Sequence, residues 1–123
     1  MKGVRLVPCL LALGLGAALS GCGDKGSASG PAAEAKQIWD TRCANCHGPE
    51  GAGDGPAGKA LDPPPRSFKD AVWQSKTTDA QIETIILQGG AAVGKNPLMA
   101  PNPDLRGRED VLKELVKIVR SFR

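Results

Sequence analysis

The chain of 123 residues has no tyrosine, two tryptophans, two phenylalanines and a single histidine. At 3% aromatic content it has little material for a large, self-sufficient core. The lone histidine, His47, excludes a site built from several imidazoles, and Met99 is the only methionine besides Met1. Long apolar runs are also missing. Residues 6–19 form the longest, about 14 positions against the ~20 that a bilayer-spanning helix needs. No segment alternates like a strand. The formal net charge is +3, but residues 1–21 contribute Lys2 and Arg5 and no acidic group, so the rest holds 14 Lys+Arg against 13 Asp+Glu. Nucleic-acid binding depends on a strong basic field and has no support here.

Lys2 and Arg5, the apolar run and the small residues Ser20-Gly21 describe an export signal. The run is too short to be read instead as a transmembrane helix. Leu19-Ser20-Gly21-Cys22 resembles the bacterial lipoprotein box. That resemblance implies cleavage before Cys22 and a diacylglycerol on its sulfur; ordinary signal cleavage would instead leave a free thiol in an oxidising compartment. Cys9 lies in the removed segment. The expected organisation is a signal peptide at 1–21, a lipid-anchored flexible linker at 22–30 and a folded domain at 31–123. Gly- and Ser-rich residues 23–30 give a root-mean-square span of roughly 16 Å, which holds the domain close to a membrane on its periplasmic or extracytoplasmic face.

Cys43-Ala44-Asn45-Cys46-His47 has the spacing of a c-type haem attachment site. Each thiol can add across one porphyrin vinyl group, while the adjacent imidazole takes one axial face of the iron. With no second histidine available, Met99 completes a natural His/Met pair. A thioredoxin-like dithiol would be expected beside a βαβ pattern, and a closed zinc site needs four ligands. Cys43, Cys46 and His47 supply only three.

The domain reads as three helices separated by Gly- and Pro-rich loops. Pro31 suits a first helical position, and Ala35, Trp39, Cys43 and Cys46 follow at helical spacing on one face. Thr78 and Gln81 form a capping-box pair; Ile82, Ile85 and Ile86 give the second helix its apolar side, and Gly89-Gly90 stop it. The third helix spans about 108–122 with a Val111, Leu115, Ile118, Phe122 stripe. Glu109 and Asp110 at its start and Arg120 and Arg123 at its end complement the dipole.

From Ile38 to Arg123 the chain resembles the class I monohaem cytochromes c, especially bacterial members with Gly51-Ala52-Gly53-Asp54-Gly55-Pro56 after the haem motif. The likeness continues through Leu61, Pro63-Pro64-Pro65-Arg66-Ser67-Phe68 and the Leu98-Met99-Ala100-Pro101 loop. It implies a small all-α fold around one covalent haem c, held by Cys43 and Cys46 and ligated by His47 and Met99. It further implies a backbone carbonyl between Pro56 and Ala60 accepting the second imidazole proton, and Leu61 packed on the histidine side. Ala35 and Trp39 would sit where the first and last helices cross. Ile118 and Val119 occupy positions where the family often places a tyrosine or tryptophan, so that contact should differ.

Closed on both axial faces, such an iron passes single electrons between redox protein partners in a respiratory or dehydrogenase chain and transforms no substrate. Two alternatives stand beside this carrier: a haem enzyme or gas sensor in which Met99 is labile, and a haem subunit of a larger oxidoreductase complex. Arg66 and Trp73 are candidates for a haem propionate, and Lys59, Lys69, Lys76 and Lys95 for a basic rim facing an acidic partner. Core packing for Trp73 and ordinary solvation of the charged groups are the plainer readings.

Overall fold

The computed structural model describes residues 29–123; the readings made on the signal segment, on Cys22 and on most of the linker fall outside them. Among the described residues every regular element is helical. In chain order they are α1 (Pro31–Ile38), a π-turn (Trp39–Cys43), α2 (Ala44–His47), α3 (Ala71–Lys76), α4 (Asp79–Gln88), 3-10 turns at Ala91–Val93 and Pro103–Leu105, and α5 (Glu109–Ser121). None of these helices is long and apolar enough to cross a membrane.

Pro31 opens α1 as expected, but the first helix is not uniform. Within the π-turn the Ala44 N–H donates to the Trp39 carbonyl, five residues back. The wider turn advances less per residue, so the face expected to carry Ala35, Trp39, Cys43 and Cys46 divides. Ala35 and Trp39 are buried in the core, whereas Cys43 and Cys46 are partly buried and border a cleft.

The cap of α4 forms as its sequence requires. The Gln81 N–H donates to Thr78 Oγ1 at 3.2 Å, and the Thr78 N–H donates to Gln81 Oε1 at 2.8 Å. Ile82 and Ile86 enter the core, and Gly89, at φ 76°, ends the helix. α3 was not expected. Its start is fixed by Asp70 Oδ1, which accepts from the Val72 and Trp73 N–H groups at 2.9 and 3.1 Å.

α5 is the central packing element, with α1 its most extensive partner and α4 a second. Two partners widen its buried face beyond the expected stripe to Val111, Leu112, Leu115, Val116 and Val119, leaving Ile118 and Phe122 partly buried at the margin. Phe122 supplies the aromatic contact that Ile118 and Val119 lack: its ring lies 5.0 Å from that of Trp39. The indole N–H of Trp39 is buried and has no acceptor among the described residues. Arg108, at the head of α5, grips the Glu34 carboxylate of α1 with Nη1 and Nη2, the first at 2.6 Å, and holds that carboxyl below the usual range.

Arg120 does more than complement a dipole. Its guanidinium donates to the Gln74 carbonyl and Oε1 at 2.7 and 2.8 Å, to the Thr77 carbonyl at 2.6 Å and to Asp79 Oδ1 at 2.7 Å. Buried Gln74 in turn donates to the Phe68 and Val119 carbonyls at 2.7 and 2.9 Å. This network locks α3, α4 and α5 together and leaves the long loops on either side of α3 and α4 to enclose the cleft.

Candidate functional site

A helix that ends at His47 leaves four carbonyls without helical partners. The following loop satisfies all four. Ala44 accepts from the Gly48 N–H at 2.9 Å, Asn45 from Ala57 at 2.9 Å, Cys46 from Gly55 at 3.1 Å and His47 from Gly53 at 2.7 Å. Such close approach explains Gly55, where a Cβ would stand 2.5 Å from the Asn45 carbonyl oxygen and 2.6 Å from that of Ala44.

The chain then doubles back, fixed by the Phe68 N–H to the Gly51 carbonyl at 2.7 Å, and lays residues 66–68 beside the imidazole. His47 Nδ1 lies 3.3 Å from the Arg66 carbonyl oxygen, and the Phe68 ring stacks on the imidazole at 4.6 Å and 17°. A carbonyl can only accept, so Nδ1 carries the proton and the Nε2 lone pair is left for a metal. Arg66 thus replaces the acceptor expected between Pro56 and Ala60. That segment is held at the helix end by its N–H groups, with Ala57 donating to the Asn45 carbonyl at 2.9 Å and Gly58 and Lys59 to that of Gly55, while the returning chain brings the Arg66 carbonyl to the imidazole. Burial pushes the His47 pKa down, and the Arg66 carbonyl works against that shift.

Met99 comes from the loop after α4. Its carbonyl accepts from the Gly90 N–H at 2.9 Å, while Asn102 donates to the Ile86 carbonyl through its backbone N–H at 3.2 Å and through Nδ2 at 2.9 Å. Gly89 serves twice here. Its positive φ turns the chain, and a Cβ would lie 2.8 Å from the Met99 carbonyl oxygen.

Cys43, Cys46, His47 and Met99 border one cleft of about 2070 Å³. Leu61, Arg66 and Trp73 line it as well, as do Lys76 and Lys95, whereas Lys59 and Lys69 stand away from it. Arg66 is half exposed and faces Asp70 at 3.4 Å. The two thiols are unbridged; burial pushes Cys43 up to about 11, opposed by neighbouring Arg42. Among the described residues no three of His, Cys, Asp and Glu converge, so a zinc centre has no donor set here. Two free thiols, an Nδ1-protonated imidazole and a thioether on one apolar-walled cleft do fit a covalently held iron porphyrin.

Sequence reasoning missed the Arg66 carbonyl and the stacking of Phe68 on His47. The first is a backbone atom without a side-chain signature, and the second follows from the return of the chain after the proline run. Cys22, the expected lipid attachment site, is outside the described residues. Comparison with curated proteins and with solved structures found no match. The family model for cytochrome c matches residues 32–115, so the chain belongs to the cytochrome c family, whose members carry covalently bound haem c and use it in electron transfer.

Proposed function

We propose that this chain is a bacterial class I monohaem cytochrome c that carries single electrons, with Cys43 and Cys46 as its thioether attachments and His47 and Met99 as the axial ligands. The observation that supports the reading is that these four side chains, from two separate segments, border the same cleft. Bound there, haem c supplies an iron that alternates between ferric and ferrous states. The chain's residues set the conditions for that exchange. The Arg66 carbonyl orients the imidazole and raises its basicity, the Met99 sulfur favours the ferrous state, and Ile82, Ile85 and Ile86 keep water from the cleft wall. With both axial positions taken, the role is that of a carrier and not an enzyme.

The domain, residues 31–123, would work beside a membrane through a lipid on Cys22 and the linker at 22–30, after removal of residues 1–21. That arrangement puts it on a periplasmic or extracytoplasmic face, exchanging electrons with respiratory or dehydrogenase partners. Lys76 and Lys95 border the cleft and have no ion-pair partner among the described residues, which suits an acidic partner surface.

The test is spectroscopic. The oxidised holoprotein should show the sulfur-to-iron charge-transfer band and lose it in Met99→Ala, and the reduced native protein should refuse carbon monoxide. A band that survives the substitution removes Met99 as ligand, and prompt carbon monoxide binding favours a haem enzyme or sensor with an open iron. An intact mass lacking acyl groups on Cys22 removes the anchor.

A further inference from the structure

Arg42 stands immediately before Cys43, inside the π-turn. Its Nη1 donates to Asp104 Oδ2 at 2.8 Å and to Asn102 Oδ1 at 3.3 Å. Both acceptors lie just beyond Met99 in the chain. The amide of Asn102 is oriented by its own donation to the Ile86 carbonyl, so its oxygen is the atom left to face Arg42. The Asp104 carboxyl is held below its usual range chiefly by this hydrogen bond from Arg42.

The methionine loop is therefore pinned at four places. Two of them, Met99 to Gly90 and Asn102 to Ile86, tie it to the end of α4, and a third, Asn96 Nδ2 to the Pro63 carbonyl at 3.5 Å, ties it to the proline run. Only the fourth ties it to the helix that bears Cys43, Cys46 and His47. Among the described residues, the Arg42 contacts are the only hydrogen bonds that join residues 39–47 to residues 96–105.

We propose that Arg42 is a positioning residue for Met99, a clip between the two ligand-bearing segments that sets how readily the thioether leaves the iron. The proposal deepens the His47/Met99 reading and rests on it. Arg42 and Asp104 are each about half exposed, at 48% and 51%, so the pair adds little to global stability. Its effect falls on a local equilibrium instead. Opening the methionine loop requires breaking only the few contacts that hold it, and loss of one of four pins changes the population of the open form directly.

Two readouts on the ferric holoprotein test this: the rate at which cyanide replaces Met99, and the pH at which the sulfur-to-iron band disappears. Arg42→Gln should bind cyanide about two- to fivefold faster and lose the band at a lower pH. Asp104→Asn and Asn102→Leu should move both readouts in the same direction; they test the clip from the loop side should Arg42→Gln impair haem attachment at the adjacent Cys43. Lys117→Gln removes the same charge from an exposed position on α5, where Lys117 pairs with Glu114, and should change neither readout. The clip is overturned if the band is present in the unsubstituted protein and the Arg42, Asp104 and Asn102 variants behave like it, or if Lys117→Gln matches them. Absence of the band from the unsubstituted protein instead overturns Met99 ligation, and the clip with it.

Discussion

A methyl group added at Gly55 would enter the gap between the glycine-rich loop and the last turn of α2, where the Asn45 and Ala44 carbonyl oxygens stand 2.5 and 2.6 Å from its position. Both obstacles are backbone, so neither can swing aside as a long side chain would. The loop would have to lift, weakening the hydrogen bonds that Gly53, Gly55 and Ala57 give to the helix end. Overpacking of this kind costs about 1–3 kcal/mol. In a domain of this size that corresponds to a melting temperature lower by roughly 4–20 °C. Calorimetry of the Gly55→Ala holoprotein should show the drop, and an unchanged melt would mean that the loop is not the clamp described. At this scale residue type and spacing single out Cys43, Cys46, His47 and Met99, and the structure brings these four to one cleft. The partner of His47 was misplaced because a carbonyl is common to every residue, and only the tertiary path selects Arg66 over Pro56 to Ala60.

Between elements, Arg120 is the joint whose removal should be felt most. Its side chain is 19% exposed, and it serves the Gln74 amide and the two carbonyls at the end of α3 while reaching Asp79 at the start of α4. Arg120→Met keeps the apolar stem but leaves buried Gln74 Oε1 and those carbonyls short of donors. Denaturant titration of the holoprotein should show a loss of about 2–4 kcal/mol, most of it from the orphaned acceptors and little from exposed Asp79. A loss under about 0.5 kcal/mol would show that water replaces the guanidinium freely. The same network explains why α3 escaped the sequence reading. Six residues give no usable period, and the helix is held by the Asp70 cap and by Arg120, whose partners lie more than 40 positions away. α4 and α5 were legible because their signals are local: a capping box, paired glycines and an apolar face at helical spacing. The π-turn left no such signal, since it changes backbone register without calling for a particular residue.

For the molecule as a whole, the question is what fills its centre. The buried apolar set is small, dominated by Leu105, Val111 and Leu115 with Trp39, Phe68 and a few isoleucines and valines around them. Much of the remaining apolar surface faces the cleft of about 2070 Å³, including Leu61, Trp73, Ile85 and Met99. A porphyrin attached through Cys43 and Cys46 would cover that surface, at roughly 25 cal/mol for each Å² removed from water. Small domains bury a limited share of their surface, so losing this contribution should exceed the margin of stability. The loops before α3 and after α4 point the same way, because both line the cleft and among the described residues meet each other through one long hydrogen bond, Asn96 Nδ2 to the Pro63 carbonyl at 3.5 Å. A Cys43→Ser/Cys46→Ser chain lacking the covalent cofactor is therefore expected to lose most of its far-ultraviolet helical signal and to show no cooperative thermal transition. Native-like helicity with a sharp melt would mean instead that α1, α4 and α5 form a sufficient core by themselves, with the cofactor seated in a scaffold that folds without it.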